Sequence, residues 1–191
     1  MHVTRNETQR SPLSAAWTTK STTWSLTISS ECSSTDTLRL MLQRVFVDAN
    51  VLLSRTTRDW LFLLRNETQQ MFQLHSTIDV VTETVRARRR LQPELDGNIT
   101  RRLHDDLIEN LDEVVADFDG SIEFHGSDPH DRHVHAAATA AASNFLLTSN
   151  GSDFGNPDLL PYEIYTPDEF FLLVDDGAQD SVRRVTKAQL K

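Results

Sequence analysis

From residue 41 onward, short apolar runs alternate with stretches in which apolar residues recur every three or four positions. RVFV (44–47) is rich in β-formers and reads as a short buried strand. Ser54 or Thr57 can cap a helix over 58–66, where Trp60, Leu61 and Leu64 fall at helical spacing. TIDVV (77–81) reads as a second strand, after which Thr82 caps a helix over ETVRARRRL (83–91). Residues 99–115 place Leu103, Leu107, Leu111 and Val114 on one stripe, the pattern of an amphipathic helix. GSIEF (120–124) reads as a strand. Asp128 and Pro129 then open an alanine-rich helix through Ser143, with the aspartate as N-cap and the proline in the first turn. FLL (145–147) and EIY (163–165) read as further strands, and Pro167 starts a last helix over PDEFFLLV (167–174). Strands that alternate with helices imply a parallel sheet covered on both faces. The expected fold is therefore α/β, a three-layer α/β/α domain around a short central parallel sheet.

The ends of the chain break this pattern. Seventeen of the first forty residues are Ser or Thr, without sustained periodicity, although TWSLTI (23–28) alternates as a lone strand would. Such a segment buries too little apolar surface to fold. It reads as a disordered extension dispensable to the fold, consistent with translation from an upstream start codon. The expected organisation is an extension at 1–40, an α/β domain at 41–176 and a mobile tail at 177–191.

The formal net charge of −9 argues against nonspecific attraction to nucleic acid or to an anionic membrane. It does not exclude an enzyme of nucleic acid, because clustered catalytic carboxylates are themselves acidic. The single cysteine, Cys32, allows no intrachain disulfide and suits a reducing cytoplasm. No apolar run approaches the roughly 20 residues of a membrane span, and no signal-peptide core is present, so no membrane partner is expected.

One position carries candidate chemistry. VFVDANVLL (45–53) places Asp48 at the end of an otherwise apolar run, where an unpaired buried carboxylate is costly. In parallel sheets, sites form at the carboxyl ends of strands. Asp48 follows the first strand, Asp153 follows FLLTSN after a short loop, and Asp128 and Asp131 open the helix before that strand. Each alone has an ordinary reading as a cap or turn residue. Brought together they repel, and a divalent cation with all-oxygen ligands, Mg²⁺ or Mn²⁺, would relieve that repulsion.

VFVDANVLL, DPHDRHVHAAATAAASNFLLTSNGSDF and PYEIYTPDEFFLLV together resemble PIN-domain proteins, in particular the bacterial group related to the VapC toxins. The resemblance spans about residues 44–176, and the middle block is its most specific part. It implies a Mg²⁺- or Mn²⁺-dependent endoribonuclease that leaves a 5′-phosphate and a 3′-hydroxyl. Asp48, Asp131 and Asp153 are the implied metal-binding and catalytic acids, Asp128 is an alternative or helper, and Thr148 and Asn150 organise the site. It further implies an RNA substrate, a cognate antitoxin and a homodimer as partners. The family's second acid falls on the helix at 82–91, where the aligned position holds Arg88, while Glu83 lies five residues earlier. Residues five apart do not share a helix face well, so Glu83 stands as a fourth catalytic candidate that needs a one-residue shift of register or a local distortion to reach the site. A cation in the acid pocket would favour a degenerate module that binds RNA or protein without cutting.

Other features have plainer readings beside functional ones. Arg86, Arg88, Arg89, Arg90, Arg101 and Arg102 form the only basic cluster; they suit RNA phosphates or an acidic antitoxin segment, or a solvated face paired with the acids of DDLIENLDE. His130 and His133 share a helix face as zinc ligands can, but without a cysteine or a third histidine at matching spacing. Trp60, Leu61, Phe62 and Leu64 read as core. A haloacid-dehalogenase-like phosphatase would want an acid two residues after Asp48, where Asn50 stands.

Overall fold

The computed structural model describes residues 42–68 and 71–189. The expectations for residues 1–40, including the lone strand at 23–28 and Cys32, lie outside the described residues. Five parallel strands form the centre: β1 (Gln43–Val47), β2 (Phe72–Ser76), β3 (Glu113–Val114), β4 (Phe145–Leu147) and β5 (Glu163–Tyr165). They lie in the order β3-β2-β1-β4-β5. Chain order runs outward from β1 in both directions, so the connections diverge between β1 and β4 and leave a crevice at their carboxyl ends.

The sheet is buried on both faces, which is why its strands read as continuous apolar runs. Val45, Phe46, Val47, Leu146 and Leu147 have no exposed surface. Helix α1 (Ala49–Leu53) follows β1 directly, and α2 (Arg55–Glu67) is capped by Ser54, whose hydroxyl accepts from Thr57 N at 3.4 Å. Helices α3 (Ile78–Leu91), α4 (Gly97–Asn110), α5 (Arg132–Ala140) and α6 (Pro167–Gln189) complete the flanking layers. Phe170 of α6 packs edge-on against Phe72 at 5.1 Å, covering one face of the sheet. The carbonyl of Ala141, at the end of α5, accepts from Arg44 Nε at 2.6 Å on the other face. The molecule is thus an α/β/α sandwich around a parallel sheet. No described helix is long and apolar enough to cross a membrane.

Several elements differ from the expected ones. Residues 77–81 are not a strand: the second strand is FQLHS, whose His75 and Ser76 are buried and disguise it as polar. Thr77, not Thr82, caps the following helix, accepting from Val80 N at 3.2 Å, so α3 begins one turn and a half earlier. The helix expected over 99–115 stops at Asn110, because Asp112 N donates to Leu74 O at 2.8 Å and draws Leu111 and Val114 into the sheet edge. That edge is locked by Asp112, whose carboxylate accepts from Leu74 N at 2.8 Å and from both Nε and Nη2 of Arg65. GSIEF is a turn and loop, held by Asp119 Oδ1 accepting from Ser121 N and Oγ. The helix opened by Asp128 is a short 3₁₀ turn (Pro129–Asp131) followed by α5, which ends at Ala140 before the left-handed Ala142. The mobile tail is also corrected: α6 runs past a kink at Ala178 to Gln189. Val185 and Ser181 are buried, and Ser181 Oγ donates to Glu67 O at 3.3 Å, which anchors this stretch to α2.

Candidate functional site

Asp48 ends β1 where the strand order diverges and caps α1, with φ −82° and ψ 159°. Of the two expected roles, the cap is the one this geometry displays. Its Oδ1 accepts from Ala49 N at 2.6 Å, and its Oδ2 from Asn50 Nδ2 and Thr148 Oγ, each at 2.7 Å. Burial still dominates and pushes the Asp48 carboxyl above its ordinary range, against the lowering effect of these bonds and with a further upward push from Glu83. Thr148 stands opposite because Val47 pairs with Leu147, so the residue after each strand meets its neighbour.

Asn50 ties the crevice together. Its Nδ2 lies 2.9 Å from Thr148 Oγ and 3.0 Å from Asn150 Oδ1, and its Oδ1 accepts from Ser149 N at 3.0 Å. Sequence reasoning treated Asn50 only as the missing acid of a phosphatase motif. The available signal was a side chain with both donor and acceptor two residues past a buried acid. Asn150 N in turn donates to Thr148 Oγ at 3.2 Å, so the loop after β4 reaches Asp48 through Thr148.

Asp131 lies at the start of α5 and makes no capping bond. Its Oδ2 is buried and has no hydrogen-bond partner. Its carboxyl is pushed up to about 6, first by burial and then by the charges of Asp48, Asp128, Asp153 and Glu83. Four carboxylates, on β1's end, α3, the 3₁₀ turn before α5 and the loop after β4, therefore act on Asp131. Asp128 also performs its bland role, accepting from His130 N at 2.8 Å as the cap of the 3₁₀ turn. Asp153 is carried by the 3₁₀ turn Gly151–Phe154, and its carbonyl accepts from Ser127 N at 2.8 Å. That approach needs a bare backbone at Gly126, where a Cβ would stand 2.2 Å from the Asp153 carbonyl oxygen.

The acid on α3 that acts on Asp48 and Asp131 is Glu83, because the earlier helix start puts it in the second turn. Arg88 acts instead on Arg58, in the company of Arg55, Asp59 and Asp106. The expected arginine in the acid pocket is thereby replaced by a glutamate on its rim. Among the other arginines, Arg89 is structural, donating to the carbonyls of Leu95 and Pro93. Arg86, Arg88, Arg90, Arg101 and Arg102 form no ion pair among the described residues, so the acids of DDLIENLDE do not neutralise them there. Leu61, Phe62 and Leu64 are core, as expected, and Trp60 packs on Phe171 at 6.3 Å.

Tested against a divalent cation, the donor set fits in its chemistry: hard carboxylate oxygens, mutually repelling, one of them buried without a partner. In position the side chains do not converge, since among the described residues no three His, Cys, Asp or Glu stand so as to hold one ion. The chain matches no family model, no curated protein and no solved structure. The geometry of the β1/β4 crevice is what remains to argue from.

Proposed function

We propose that this chain is a metal-dependent endoribonuclease of PIN-like type, acting in the cytoplasm, with its site at the β1/β4 crevice. The observation that carries this reading is Asp131: a carboxyl raised to about 6 by burial and by four neighbouring acids. Acids are crowded in this way where a cation or a proton is to be held. Asp48, Glu83, Asp131 and Asp153 are the acids this reading assigns to Mg²⁺ or Mn²⁺; they do not converge as they stand, so they would have to draw together around the ion, which would supply positive charge to a scissile phosphate and lower the pKa of an attacking water. The chain's own residues fix Asp48 through Thr148, Asn50 and Asn150, and keep its carboxylate oriented as charge develops. Unpaired Arg86, Arg88 and Arg90 offer phosphate contacts along α3. In such a hydrolysis the water oxygen would bond to phosphorus as the P–O3′ bond breaks, leaving a 5′-phosphate, with a proton passing to the departing 3′-oxygen. A cognate antitoxin and a homodimer are the partners this reading carries with it.

The test is cleavage of RNA by the purified chain with Mn²⁺, beside an EDTA control and an Asp48→Asn variant. Cleavage that needs both the metal and Asp48 supports the nuclease. Absence of cleavage together with absence of Mn²⁺ binding by calorimetry supports the second reading, a module that binds RNA or protein without cutting. The lack of three converging ligands among the described residues is the observation on the side of that second reading.

A further inference from the structure

Helices α3 and α4 form a hairpin whose inward stripes run past the core they cover. On α3 the stripe starts at Val80 and Thr84, which have no exposed surface, and ends at Leu91, 66 % exposed. On α4 it runs from Leu107, wholly buried, through half-buried Leu103 to Ile99, 48 % exposed. These positions recur at three- and four-residue steps, so Leu91 and Ile99 continue core-facing stripes into water. The end of the hairpin is nonetheless fixed. Arg89 donates to the carbonyls of Pro93 and Leu95 and to Thr100 Oγ, and Asp96 caps α4 by accepting from Asn98 N at 2.7 Å. Arg90, Arg101 and Arg102 stand beside the two aliphatic residues, exposed and without an ion pair among the described residues. Exposed apolar surface rimmed by polar groups marks an interaction site.

Three guanidiniums around Leu91 and Ile99 fit an acidic partner with an apolar centre. RNA would meet the guanidiniums and leave both aliphatic side chains in water. Helix α6 has the complementary chemistry. Before its kink at Ala178 it exposes Asp168, Leu172 and Asp176 at four-residue steps, with half-exposed Asp175 beside them. Leu172 is 67 % exposed, and these three aspartates are in no ion pair among the described residues.

We infer that the end of the α3–α4 hairpin docks on the acidic face of α6 in a second copy of this chain. Leu91 and Ile99 meet Leu172, and Arg90, Arg101 and Arg102 meet Asp168, Asp175 and Asp176. Opposed potentials of this kind set register and speed association. The inference gives a surface to the homodimer carried by the proposed function. It rests on that reading for the existence of a pair, while assembly and cleavage are read separately. The contact is heterologous, hairpin to helix, and a two-fold axis makes it twice and closes the pair. Arg86 and Arg88, nearer the crevice, remain free for phosphate.

The experiment is sedimentation of the full chain, up to about 0.1 mM, at low and at high salt. Assembly beyond one chain is expected, weakening as salt rises. Arg90→Glu with Arg101→Glu, and separately Asp168→Arg with Asp176→Arg, should each weaken assembly about tenfold or more. Mixing the two double variants should restore it, because each reversed surface then meets its reversed partner. Leu91→Ser should weaken assembly and keep its salt dependence. These side chains are exposed, so melting temperatures should hold and loss of assembly is not loss of fold. A monomeric wild-type chain overturns the inference whether or not it cleaves RNA. Assembly indifferent to both reversals, or a mixture that fails to reassemble, overturns it as well. Assembly restored by mixing, in a chain that cleaves nothing, supports it and counts against the nuclease alone.

Discussion

Asp112 and Asp131 are both partly withdrawn from water, one at the outer edge of the sheet and one at its central crevice. Asp112 is satisfied in full: two nitrogens of Arg65 and the backbone of Leu74 donate to it. Asp131 faces four other acids and keeps one buried oxygen unpaired. The same side chain is a structural lock where a cation is built into the protein, and a stored repulsion where none is. The difference teaches where to look for chemistry: at the buried charge that the fold itself leaves unanswered.

The comparison breaks most visibly at its satisfied member. Asp112→Ala leaves a mostly buried guanidinium and the Leu74 N–H without partners, and should cost about 3 kcal/mol, read as a lower denaturant midpoint at unchanged slope. Asn50→Ala removes the bridge from Asp48 to the Ser149 backbone, and a loss of roughly 1.5 kcal/mol is expected by the same measurement. At the unsatisfied member the sign changes. Asp131 has a folded-state pKa above its unfolded value, so the native state binds the extra proton between about pH 4 and about pH 6, and stability falls as pH rises through that window. Because the group is partly solvated, the expected loss is on the order of 1 kcal/mol after screening. Asp131→Asn should flatten that slope in thermal melts taken from pH 4 to pH 7, and a steeper slope would contradict the account. The smallest effect is expected at the rim: Arg88→Ala or Arg86→Ala should weaken RNA binding about threefold each and lower its salt dependence, leaving melting temperature unchanged.

Legibility followed how local the signal was. β1, β4, β5 and the alternation that implies a parallel sheet were plain, because their apolar runs have no competing pattern. β2 was missed because a buried histidine and serine replaced its last apolar positions, and the error moved the start of α3, so that Arg88 took the preferred position and Glu83 only a secondary one. The end of α4 was missed because Leu111 and Val114 continue the helical stripe, while the competing bond to Leu74 is set by a strand 38 residues away. The continuation of α6 depends on sparse apolar residues, Val182 and Val185, that find the core only once α2 is in place. The four aspartates were legible from VFVDAN, DPHD and NGSD. The bridging role of Asn50 was not, because a side-chain hydrogen bond exists only in three dimensions.

The hydrogen bond from Thr148 to Asp48 joins residues 100 positions apart. At synthesis rates of about 5–20 residues per second, Asp48 waits on the order of 5–20 seconds for its partner to be made. Strand β1 sits in the middle of the sheet yet is made first, and its second neighbour, β4, comes fourth. Pairing of such distant strands is also slow, since loop closure must precede contact. A nascent chain that ends before residue 148 thus has a first strand and an aspartate but no crevice. If the domain cuts RNA, the order of its strands withholds that activity until most of the chain has been synthesised, and the message being translated is spared meanwhile.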